Sequence, residues 1–148
     1  MKTATVLYDT SVYISYKRFL GDVGPSGWQS AVVLQELITG ANGSSEIRRW
    51  ENDRDQYEKR GRLLVPNSHV WTTAGKILNH YLSDLSRRDH QRRRPSLDHR
   101  QKQSIIRDVL IAVSAKQQNV TVISDNEDFP TIQQYYKFRW LSAAAFFA

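Results

Sequence analysis

There is no cysteine in the 148 residues, which removes disulfides, thiolate zinc sites and cysteine nucleophiles and suits a reducing compartment. Long apolar runs are missing too. Apolar stretches such as AVVL and SAAAFFA fall far short of the roughly 20 residues that span a bilayer. The opening MKTATVLYDTSVY has no apolar h-region and meets an aspartate at position 9. A cytoplasmic protein without membrane contact is therefore expected. No P-loop, GxGxxG or GxSxG pattern is present, so nucleotide binding and serine-hydrolase chemistry lack support. The four histidines, His69, His80, His90 and His99, show no HExxH or paired-ligand spacing, which disfavours zinc.

What is there suits one globular domain over residues 1–148, large enough to bury about two thirds of its unfolded surface without staples. The net charge of +6 is uneven: residues 87–102, RRDHQRRRPSLDHRQK, hold seven Lys or Arg against two Asp, and the rest is nearly neutral. Displaced counterions make such a block a candidate for phosphate contact. The plainer reading is a solvated loop that aids solubility.

Alternating strand and helix signals run along the chain. TATVLY, RLLVP, VTVIS and FRWLS are β-branched or apolar runs bounded by breakers, and WQSAVV begins strand-like before turning helical near Leu34. Helical spacing predicts a short helix over 13–20, one through QELIT closed by Gly40 and Gly43, and a polar helix ending at Gly61. A helix from Ser68, one over about 102–118 ended by Asn119, and a short one in DFPTIQQYY complete the set. The pattern predicts an α/β fold, a three-layer α/β/α sandwich with a mainly parallel central sheet.

The helix QSIIRDVLIAVSA carries one carboxylate, Asp108, within its apolar run. It shares a helix face with Ser104, Ile105, Ile111 and Ala112, and a buried unpaired charge there costs several kcal/mol or more. Strands end in acids as well: TATVLY runs into Asp9, and VTVIS into Asp125 with Asp128 three residues on. The carboxyl ends of parallel strands are where ligands sit, so these acids point to one rim, and Glu36 sits in the apolar stretch AVVLQELIT. Each has a plain alternative. Asp9 and Asp125 could cap helices, Glu36 could face solvent, and Asp108 could pair with Arg107 or Arg139. Together, acids on one rim would repel unless a divalent cation neutralised them. An all-oxygen donor set suits Mg²⁺ or Mn²⁺.

LYDTSVYI, AVVLQELITG, IIRDVLIAVSA and ISDNEDF resemble, in order and spacing, the four acidic motifs of PIN-domain nucleases, and the length is similar to VapC-type toxins of toxin–antitoxin pairs. The resemblance covers residues 5–143 and implies that Asp9, Glu36, Asp108 and Asp125 are the metal-binding and catalytic acids, with Asp128 as a fifth ligand. It implies supporting hydroxyls from Ser11 and Ser124. It further implies a Mg²⁺- or Mn²⁺-dependent endoribonuclease acting on RNA, held inactive by a VapB-type antitoxin whose arm puts a cation into the acidic pocket, and a homodimer. Arg87, Arg88, Arg92, Arg93, Arg94, Arg100 and Lys102 would then flank the RNA, in a link longer than the compact members of the family carry. Trp28 or Trp71 could stack a base, although a core role is expected for both. Two rival readings stand beside this one, a non-catalytic RNA-binding or regulatory module on the same scaffold and a DNA flap-type nuclease.

Overall fold

The computed structural model describes residues 5–20, 27–92 and 97–148, with the backbone alone for 89–92. Its strands are β1 (Val6–Tyr8), β2 (Gln29–Ser30), β3 (Leu63–Leu64), β4 (Thr121–Ile123) and β5 (Trp140–Leu141). The helices are α1 (Thr10–Ser15), α2 (Ala31–Thr39), α3 (Ser44–Lys59), α4 (Ser68–Arg92), α5 (His99–Gln117), α6 (Asp128–Gln133) and α7 (Ala143–Phe146).

Every described strand pair is parallel: β1 with β4, β4 with β5, and β2 with β3. A bridge from Leu7 to Trp28 joins the two groups, giving the order β3, β2, β1, β4, β5. The chain winds outward to one side of β1 and then to the other, so the order reverses between β1 and β4. In doubly wound sheets the crevice beyond the strand ends at such a reversal is the natural ligand site.

Strand alternation supplies the two faces. Leu7 and Val122 enter a large core with residues of α2 to α6, whereas Val6, Tyr8 and Ile123 meet Val12 of α1 and Ala143 of α7 on the other side. The protein is thus a three-layer α/β/α sandwich. Helix α5 runs through the larger layer, with Val109, Ile111 and Ala112 almost wholly buried, and packs along α4.

Local chemistry sets the boundaries. Ser30 ends β2 in an extended conformation and its hydroxyl accepts from the amides of Val32 and Val33, so α2 begins at Ala31 rather than near Leu34. Gly61 takes a φ of +67° just past α3, where the Arg62 amide donates back to the Tyr57 carbonyl at 2.8 Å. Asn119 ends α5 with a φ of 54°. The expected helix over 13–20 is instead α1 followed by a 3-10 turn at Lys17–Phe19. The closing SAAAFFA forms α7, an element the sequence reading lacked.

The largest difference concerns the basic block. A basic loop was expected between a helical stretch over 68–88 and a helix from about 102, but α4 runs on to Arg92 and α5 starts at His99, held by a reciprocal capping box between Asp98 and Gln101. Arg87 and Arg88 therefore ride the last turns of α4, and Arg100 and Lys102 the first turn of α5. Arg93 and Arg94 lie outside the described residues, as does the side chain of Arg92. Trp71, expected in the core, is 56% exposed. It sits at the start of α4, where Asn67 faces Gln117 at the far end of α5, about 20 Å along the helix from the basic tip. Trp28 is half-buried against the core, with Arg62 over its ring.

Removing the α2 cap tests this local account. Ser30→Ala should lower stability by about 1 kcal/mol, seen as a lower urea midpoint with an unchanged m-value.

Candidate active site

Asp9 follows β1 at the sheet reversal and occupies the N-cap position of α1, yet its carboxylate caps nothing. One oxygen, Oδ2, accepts instead from the Ser11 hydroxyl at 3.1 Å and the Ser124 hydroxyl at 2.9 Å. Both serines lie where the strands end, so the polar contact locks the tips of β1 and β4 together. Asp9 is 4% exposed.

Asp108 comes down on α5 beside it and is equally buried. Its described hydrogen-bond partner is the Asn126 side-chain amide, 3.1 Å from Oδ2. Burial pushes its carboxyl well above the ordinary aspartate value, and the charge of Asp9, a hydrogen bond with Asp128 and the charges of Asp128 and Glu36 push in the same direction. Glu36, on the second turn of α2, is half-buried and also raised, by burial and by Asp9, against the lowering influence of Arg107. Its Oε2 lies 3.6 Å from Arg107 Nε. Among the described residues neither Asp9 nor Asp108 has a salt bridge.

The turn after β4 decides the rest. The Ser124 hydroxyl accepts from the Asn126 amide at 2.9 Å, and the Asn126 side-chain oxygen accepts from the Asp128 amide at 2.9 Å. This fixes Asp128 at the start of α6, where the Ser104 hydroxyl donates to its carboxylate at 3.3 Å. Asn126 thus ties Asp108, Ser124 and Asp128 into one unit.

Asp125 does not join them. Expected on the acidic rim, it turns to the other side of the strand end, where it accepts from the Tyr16 hydroxyl and, at 3.1 Å, from the Ala144 amide. Those donors hold its carboxyl below the ordinary range, Tyr16 foremost, and its neighbours are α1 and α7. The reason is alternation: Ser124 points into the site, so the next side chain points away, and the Asn126 turn brings Asp128 inward instead. The structure therefore gathers Asp9, Glu36, Asp108 and Asp128 with Ser11 and Ser124, and leaves Asp125 outside.

The donor chemistry fits a hard divalent ion: carboxylate and hydroxyl oxygens alone, two acids deeply buried and not ion-paired. Among the described residues no three His, Asp or Glu stand close enough to hold a metal ion together. The donors are of the right chemistry for such an ion, without a preformed shell.

The PIN domain model matches residues 6–134. The chain belongs to the PIN domain family. Members of this family are in general nucleases. Among solved structures, FitAB bound to the IR36 DNA fragment is 18% identical with a TM-score of 0.59, over 93% of this chain and 94% of that one. VapBC-1 from nontypeable Haemophilus influenzae is 20% identical at a TM-score of 0.49, over 94% and 98%. VapBC-5 from Mycobacterium tuberculosis, of the VapBC family of toxin–antitoxin systems, is 18% identical at 0.46, over 94% and 98%. At these identities the likeness concerns the fold. A search of curated proteins by sequence finds no match.

Sequence reasoning did not single out Asn126, Thr10 or Ser104. Asn126 lies in SDNED, a turn-forming stretch between two acids, and asparagine there is the residue whose side chain bonds its own backbone two positions on. Thr10 Oγ1 is buried and within reach of Glu36, whose carboxyl it acts to lower. Nothing in sequence spacing reports such a contact. None of the described helices is long and apolar enough to cross a membrane.

The repulsion at Asp108 has a measurable sign. A raised carboxyl binds its proton more tightly in the folded than in the unfolded chain, so its contribution to stability is complete below about pH 4, the ordinary aspartate value, and is lost as pH rises through the folded value. The metal-free protein should accordingly gain stability on acidification from neutral pH, until other groups titrate. Asp108→Asn should unfold at a higher temperature at pH 7 and lose that gain, as thermal melts across pH would register.

Proposed function

We propose that this PIN domain is a divalent-metal-dependent endoribonuclease, the VapC-type toxin of a toxin–antitoxin pair. The observation that carries the reading is the pair of buried carboxylates without ion pairs, Asp9 and Asp108, flanked by Glu36 and Asp128 where the sheet reverses. Such a group is costly as a mere element of the fold, and it is the electrostatic template for cations that nuclease chemistry requires.

Asp9, Glu36, Asp108 and Asp128 would hold the ion and its waters. Bound there, Mg²⁺ or Mn²⁺ would supply water activation and neutralise charge at the scissile phosphate. Ser11 and Ser124 keep Asp9 fixed, which spares reorganisation during reaction. Asn126 does the same for Asp108 and for the turn that carries Asp128. Asp125, assigned to the metal on resemblance alone, is better read as a clasp between the end of β4, α1 and α7.

The tip of the α4/α5 pair stands over the same rim. Tyr135 of the segment after α6 donates to Asp84 of α4 at 2.8 Å, and Asp128 and Arg88 both act on Tyr81. Arg88, Arg100 and Lys102 are therefore suited to RNA phosphates near the acids, with Arg87 partly engaged by Asp84 at 3.0 Å. Trp71 is too far along α4 to stack a base there. The likeness to FitAB supports an antitoxin partner; a homodimer and a cation from the antitoxin entering the acidic pocket are what the family resemblance implies. A non-catalytic module has no observation in its favour, and a flap-type nuclease would show itself by preferring DNA.

The deciding experiment compares variants on labelled RNA and DNA with Mg²⁺, Mn²⁺ or EDTA. Asp9→Ala, Asp108→Asn and Asp128→Asn should each cut RNA about 100-fold more slowly or worse, the scale of losing one fixed electrostatic partner. Asp125→Asn should stay within a few-fold of wild type. Wild-type cleavage in EDTA, or an Asp108→Asn variant that cuts normally, refutes the proposal. Loss of cutting in Asp125→Asn with retention in Asp128→Asn returns Asp125 to the site.

Separately, Arg88→Ala and Arg100→Ala should each lower the slope of log affinity against log salt by about 0.7, the single-strand value for one phosphate contact. Filter binding at several salt concentrations measures it.

A further inference from the structure

Arg107 and Asp108 are consecutive on α5 and face differently. Asp108 is 4% exposed toward the sheet, whereas the Arg107 side chain is 39% exposed and reaches across to α2. There its Nε lies 3.6 Å from Glu36 Oε2, a single contact rather than a two-pronged one. Among the described residues it is the cation in salt-bridge contact with this acidic group.

The placement of this pair is informative. Glu36 lies in the fields of Asp9 and Asp108, so some positive charge is needed when no ion is bound, and Arg107 supplies it at one acid. A partly exposed pair with one long contact is weak and easily exchanged. A divalent ion would compete for the same Glu36 oxygens. Once displaced, the guanidinium would remain tethered beside the ion on the solvent side of the acids, where the phosphate backbone of a substrate must arrive. Arginine's planar fork suits a phosphate oxygen pair.

We infer that Arg107 is an exchangeable counter-ion, which neutralises Glu36 in the metal-free protein and transfers to a substrate phosphate when an ion takes Glu36. This inference rests on the nuclease reading of the site and adds a residue with two alternating partners. It predicts opposite effects on two ligands. A residue that only braced α2 against α5 would not produce them.

The test uses the full chain and its Arg107→Gln and Arg107→Lys variants. Titration calorimetry with Mn²⁺ alone should show Arg107→Gln binding the ion roughly two- to fivefold more tightly, because its competitor is gone. Fluorescence anisotropy with a labelled single-stranded RNA in Ca²⁺ should show the same variant binding several-fold more weakly, with the salt slope reduced by about 0.7. In EDTA that difference should shrink, since Glu36 then competes with the phosphate for Arg107. Arg107→Lys should restore the salt slope. If Arg107→Gln binds Mn²⁺ as wild type does or more weakly, or binds RNA unchanged in Ca²⁺, the inference is overturned while the nuclease reading stands. If wild type binds no Mn²⁺ at all, both fall.

Discussion

The structure depends on two carboxylates that the fold buries and gives no cation. Asp9 and Asp108 stand side by side in a buried crevice, where burial and the charge of Asp9 raise the cost of ionising Asp108. Hydrogen bonds from Ser11, Ser124 and Asn126 make the arrangement tolerable without cancelling its charge. Burying these carboxylates lowers stability near neutral pH, a cost that the proposed ion would offset.

The scaffold makes that placement economical. The carboxyl ends of the parallel strands share one edge, and the winding reverses between β1 and β4, where doubly wound sheets hold ligands. The first acid follows β1, the last lies five residues beyond Ile123 at the start of α6, and α2 and α5 bring theirs from the flanking layer. Each comes from an element whose position the core already fixes. Extension of α4 to Arg92 carries Arg87 and Arg88 toward the start of α5, where Arg100 and Lys102 lie, so basic side chains of the two helices gather at one end of the pair.

Asp125 and Asp128 show how such a site is chosen locally. Both are acids in a five-residue turn, and three hydrogen bonds about Asn126 and Ser124 decide which faces inward. The outward acid found work of a different kind, receiving the Tyr16 hydroxyl and the first amides of α7. Helix α7 also completes an aromatic cluster in which Tyr8, Tyr16, Phe19, Phe146 and Phe147 stack on the thin face of the sheet.

The alternation of apolar runs with turn chemistry was enough, without coordinates, to require parallel strands between helices, because hydrophobic period and breakers act over a few residues. The anomaly of Asp108 was visible in the same way: a charge in an apolar helix must be answered from elsewhere in the chain. Ordered motifs identified Asp9, Glu36 and Asp108 as belonging together. Which member of SDNED completes the group, that Arg107 reaches Glu36, that Trp71 faces solvent and that the basic block is a helical tip were decided only by the tertiary structure. Those outcomes turn on side-chain direction and on contacts between residues far apart in sequence, such as the 115-residue separation of Asp9 from Ser124, and local pattern carries no record of either.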